Sequence, residues 1–172
     1  MEMEYFNASW VDFFVRYLHV LSAFMWIGLL WYFNFVQIPV AKGLPAELKP
    51  AIGKHIAPKA LFWFRWSALA TIVFGLMLAG RSGYLHDAMT LGLMESGNVQ
   101  QTAIGIGMWL GLIMAFNVWF IIWPNQKRAI GIVPASDEEK AASARIAMLT
   151  SRINTALSIP MLYAMVAAQN LY

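Results

Sequence analysis

Asp12, Arg16 and His19 are spaced i, i+4 and i+7, so on a helix all three share one face. Asp12 lies N-terminal to Arg16, the favourable order for an ion pair one turn apart. His19 is the member of this set able to serve a metal, because a neutral imidazole is a common axial ligand of haem iron. It is therefore a candidate ligand for b-type haem. The plainer alternative is a histidine that hydrogen-bonds a neighbouring helix. His55 and His86 fall in predicted connections, with His86 on the same predicted side as His19. The eleven methionines offer thioethers as second ligands but serve mainly as packing. A second polar group is Trp63, Arg65 and Trp66, within Phe62-Trp63-Phe64-Arg65-Trp66, where a guanidinium can stack on indole faces at a membrane interface. No phosphate-binding glycine loop, paired-carboxylate site or nucleophilic triad is found, so no catalytic residue and no metal-ion cluster is assigned.

The elements that must position these residues are four apolar runs, 17–40, 60–80, 103–123 and 153–171. About 20 apolar residues in a helix suffice to cross the hydrocarbon core of a bilayer. The chain is 60% apolar and 12% charged, with a mean hydropathy of +0.58, which argues against a soluble monomer. In lipid each crossing segment has to satisfy its own backbone, which selects helices. The expected fold is all-α, a polytopic membrane four-helix bundle forming one integral membrane domain over 1–172. Its transmembrane helices are predicted at about 13–40, 60–80, 103–123 and 150–171. The acidic start Met1-Glu2-Met3-Glu4 lacks the basic region of a cleavable leader, so the first apolar run is expected to be retained. The absence of cysteine excludes disulfides, iron–sulfur clusters and thiolate metal sites.

The net charge of +3 has a topological reading. Lys42, Lys49, Lys54, Lys59 and Arg65 lie between or beside the first two runs, and Lys127, Arg128, Lys140, Arg145 and Arg152 around the connection of the last two. By the positive-inside rule both connections face the cytoplasm and both termini the opposite side. The basic excess is thereby accounted for without nucleic acid as a partner; the bilayer is the expected one. Small residues recur every fourth position: Ser67, Thr71, Gly75 and Ala79 in the second run, Gly107, Gly111 and Ala115 in the third. These stripes predict close helix packing at the centre of the bundle. Ser136 followed by Asp137-Glu138-Glu139 predicts a capped helix start, with Glu139 as capping-box partner. That helix is expected to lie along the cytoplasmic face before the fourth span. Asn117, Asn125, Gln126 and Asn154 are expected to hydrogen-bond between helices.

Several stretches together resemble the membrane domain of bacterial cytochrome-c-linked urate oxidases. Arg16-Tyr17-Leu18-His19-Val20 with Trp26-Ile27-Gly28 is similar to its first helix, and Phe62-Trp63-Phe64-Arg65-Trp66 to the entry of its second. Met114-Ala115-Phe116-Asn117-Val118 with Ile122-Trp123-Pro124-Asn125-Gln126-Lys127 resembles the segment ending in Pro-Asn-Gln. Ser151-Arg152-Ile153-Asn154-Thr155 with Ile159-Pro160-Met161-Leu162 resembles the closing stretch. A looser likeness, mainly in the first helix, is to membrane copper-resistance and protoporphyrinogen-oxidase proteins. The resemblance implies histidine at three positions that here hold Phe62, Ile153 and Gln169, leaving His19 alone of that set. Family proteins also carry a cytochrome c domain after a longer membrane region. The expectation is therefore a non-catalytic structural or accessory subunit of a larger membrane complex, such as a redox complex of the bacterial inner membrane, with other membrane subunits as partners. The alternatives are a b-haem-binding electron-transfer protein using His19 and a membrane oxidase of the urate oxidase type.

Overall fold

The computed structural model describes residues 7–93 and 98–172, which form helices and turns with no strand. The acidic start at residues 1–4 lies outside the described residues. In chain order the helices are α1 (Ala8–Gly43), α2 (Ile52–Arg81), the short α3 (Leu85–Met89), α4 (Val99–Ala129) and α5 (Asp137–Asn170). Of these, α1, α2 and α4 are long and apolar enough to cross a membrane. The sequence predicts a fourth crossing helix, but α5 does not reach the same apolarity. Its buried side includes Ser143, Ser151, Asn154, Thr155 and Ser158. The outer surface is unlike that of a soluble protein: Phe13, Phe24, Phe35, Phe120, Ile159 and Tyr163 are all more than half exposed.

α1 packs along α2, and α4 along α5. The two pairs meet in a core containing Trp26, Leu30, Phe33, Phe64, Met114, Val118, Ile122 and Met161. Ion pairing and hydrogen bonding fix which ends lie together. Arg81 at the end of α2 pairs with Asp12 near the start of α1. Gln100 at the start of α4 donates to the Ala168 carbonyl near the end of α5 at 2.7 Å. At the other end Asn34 Nδ2 donates to Ser151 Oγ at 2.8 Å, and Asn117 Nδ2 to Asn154 Oδ1 at 2.8 Å.

Three stretches widen into π-helix: Tyr32–Gln37, Ile52–Ile56 and Asn117–Ile122. Each stops two residues before a proline, namely Pro39, Pro58 and Pro124. In each case the residue just before the proline bonds five residues back: Ile38 to Phe33, Ala57 to Ile52 and Trp123 to Val118. The cause is steric. A proline ring collides with the carbonyl four residues earlier and offers it no donor. Widening the preceding turn moves that carbonyl aside while keeping its neighbours bonded. Pro160, within α5, is accommodated in continuous α-helix instead.

One sequence expectation about packing is corrected. The capping box at Ser136 and Glu139 is formed, with both reciprocal bonds, but it opens α5 itself. The expected surface helix and the fourth apolar run are one continuous 34-residue helix. The two small-residue stripes meet different helices. Gly75 receives His19 of α1, while Gly107 receives Met165 of α5. Gly111 of α4 faces Ile72 of α2 at ordinary contact distance, 3.9 Å from a hypothetical Cβ. Ser67, Thr71, Ala79 and Ala115 are buried. The tightest approach is elsewhere: a Cβ at Gly105 would lie 2.1 Å from the Ala88 carbonyl oxygen, so α3 rests directly on the backbone of α4.

Candidate functional site

Between α1, α2, α4 and α5 the helices leave a cavity of about 650 Å³, within the range of small-ligand sites. His19 stands in its wall. The helical register of α1 turns the imidazole toward α2, where Gly75 has no side chain to obstruct it. A Cβ at Gly75 would be 2.9 Å from His19 Cε1 and 3.0 Å from Nδ1. One turn earlier on α2, the Thr71 carbonyl oxygen lies 2.9 Å from His19 Nδ1. A carbonyl only accepts, so this bond places a proton on Nδ1, and in the neutral imidazole Nε2 then carries the lone pair. Nε2 has no hydrogen-bond partner among the described residues. A ring held through Nδ1–H by a backbone carbonyl is the arrangement that orients metal-binding histidines.

The cavity changes character along its length. Its walls are mostly apolar, including Ile27, Leu112 and Leu162, together with the thioethers of Met108, Met161 and Met165. Its polar lining includes Arg16, Tyr84, Gln169 and Asn170. Burial holds the Tyr84 phenol above the usual phenol range, with the nearby Arg16 guanidinium pulling the other way.

The structure brings only part of the expected constellation together. Arg16 and His19 share the cavity wall, but Asp12 is engaged by Arg81 rather than Arg16, because the end of α2 delivers a competing guanidinium. Arg65 does stack on an indole, with its guanidinium carbon 3.7 Å from the ring centre of Trp123 on α4. It also lies 5.5 Å from the Phe62 ring. Trp66 packs edge-on against Trp119 at 5.4 Å, and Trp63 against Phe62 at 5.6 Å. This aromatic cluster sits on α2 before the stretch of cavity wall formed by Thr71 and Gly75. His86 on α3 does not line the cavity, and no group of three or more metal-binding side chains occurs among the described residues. Of the three positions where resemblance implies histidine, Phe62 and Ile153 are exposed on the outer surface, whereas Gln169 lines the cavity with His19.

Two contributors were not legible as site residues. Gly75 reads in sequence as one step of a packing stripe, and the Thr71 carbonyl belongs to the backbone. The available signal was the same four-residue spacing, on a helix facing another that carries an inward histidine.

The family described as urate oxidase N-terminal matches residues 86–171, which hold nearly all of α3 and the whole of α4 and α5. The match leaves out α1 and α2, and so His19, Thr71 and Gly75. Neither a curated protein nor a solved structure matches the chain.

Proposed function

Since this chain belongs to the urate oxidase N-terminal family, we propose that it is a non-catalytic membrane subunit of a larger redox complex, holding b-type haem through His19. The observation that carries the reading is the prepared imidazole: Nδ1 engaged by the Thr71 carbonyl, Gly75 clearing space for the ring, and Nε2 left without a protein partner beside a 650 Å³ cavity. The donor set fits the group. An imidazole nitrogen and methionine thioethers are both axial ligands of haem iron, and the apolar walls suit a macrocycle. Bound haem would supply one-electron transfer; the chain's own contribution is to hold, orient and shield it.

The reading places the protein in a bacterial inner membrane as four crossing helices, with α5 the fourth, shielded by its partners. Both termini lie on the non-cytoplasmic side, since the basic connections favour the cytoplasm. A catalytic urate site is not part of the proposal. Phe62 and Ile153 cannot replace imidazole, and Gln169 can only hydrogen-bond.

The test is a reduced-minus-oxidised absorption spectrum of the full chain purified in detergent with haem supplied. The expected result is a b-type band in the native protein that His19→Ala abolishes. A featureless native spectrum, or a band indifferent to His19, overturns haem ligation. It would favour a purely structural subunit.

A further inference from the structure

Arg16 lies in the cavity wall one helical turn from His19, a rise of roughly 4.5 Å along the axis. Its expected counterion is unavailable, because Asp12 pairs with Arg81. No other carboxylate pairs with it among the described residues. Also in the lining, the Gln169 amide of α5 has no hydrogen-bond partner among the described residues, while Asn170 donates one amide N–H to the Val166 carbonyl. The remaining walls nearby are apolar. An uncompensated guanidinium at the edge of an apolar cavity favours an anion, and its planar fork matches a carboxylate.

We propose that Arg16, together with Gln169 of α5, forms an anion subsite that takes the carboxylate end of the cavity's ligand and so fixes its orientation relative to His19. This rests on the haem reading above and adds to it: the ligand is an amphiphile whose acidic edge lies toward Arg16 while its apolar body fills the space between the helices. For b-type haem that edge is the pair of propionates. The Tyr84 phenol, also in the lining, adds a neutral donor beside that edge. The pairing of Asp12 with Arg81 acquires a purpose in this arrangement, since it keeps a carboxylate of the protein off Arg16.

The experiment compares haem with haem dimethyl ester, whose propionates are capped as neutral esters, for binding to the full chain in detergent. A charge-assisted pair predicts that the native protein binds haem about tenfold or more tightly than the ester. Arg16→Gln should bind both alike, near the native affinity for the ester, and Arg16→Lys should retain part of the preference. Because the native protein is tested with both ligands, the result does not depend on the variants alone. Equal native affinities, or an undiminished preference in Arg16→Gln, would overturn the subsite while a His19-dependent spectrum left the haem reading in place. Failure of the native chain to bind haem at all removes both.

Discussion

At the scale of single residues, His19 depends on what is missing at Gly75. A methyl group there would press on the near edge of the imidazole, at 2.9 Å from Cε1, and the ring rather than the helix would yield. Gly75→Ala should therefore leave the helices intact but displace Nδ1 from the Thr71 carbonyl. Lost orientation of this kind costs about 10–100-fold in affinity for a bound metal, so haem titration should show weakening of that order with unchanged helical circular dichroism. Native haem affinity in Gly75→Ala would remove the case for a positioned ring. Tyr84 supports a separate expectation. Its phenol ionises at higher pH in the folded protein than in the unfolded chain, because burial penalises the phenolate. The unfolded state thus loses its proton first, and the fold loses stability as pH rises past about 10. Tyr84→Phe should show a shallower alkaline loss of thermal stability than the native protein. Identical alkaline profiles would count against a buried neutral phenol.

At the scale of elements, close approach depends on which helix lies opposite. Gly105 meets backbone, since an added Cβ would stand 2.1 Å from the Ala88 carbonyl oxygen. A carbonyl in a helix cannot step aside as a side chain can, so Gly105→Ala should force α3 away from α4. Overpacking of this kind costs about 1–3 kcal/mol or more. Gly111→Ala places its methyl at ordinary contact distance from Ile72 and should be nearly neutral. Thermal unfolding in detergent should rank the two in that order; equal stability would contradict the contact between α3 and α4. A four-residue spacing of small residues lets helix backbones approach closely. It does not tell which stripe meets which helix, because Gly75 and Gly107 look alike in sequence yet receive an imidazole and a methionine from different partners.

For the whole molecule, the joined ends give the topology proposal a direct test. Ser82, just past α2, and Glu138, in the first turn of α5, lie at opposite ends of the bundle and are exposed. A cysteine at Ser82 should label from outside intact cells and one at Glu138 only after permeabilisation; the reverse pattern would invert the orientation. Gentle-detergent purification should recover the chain in a particle much larger than 19.4 kDa that contains other polypeptides, and recovery as a lone monomer would contradict the subunit proposal. The amino-acid sequence by itself determined the helical class, the apolar runs and the capped start at Ser136, because these follow from hydropathy, spacing and local capping chemistry. It also singled out His19 as the histidine within a predicted span. Only the tertiary structure decided that α5 is one continuous helix, that Asp12 serves Arg81, that Arg65 stacks on Trp123, and that Thr71 and Gly75 seat His19. Those outcomes are set by which helix faces which, and partners distant in sequence leave no periodic trace in either segment alone.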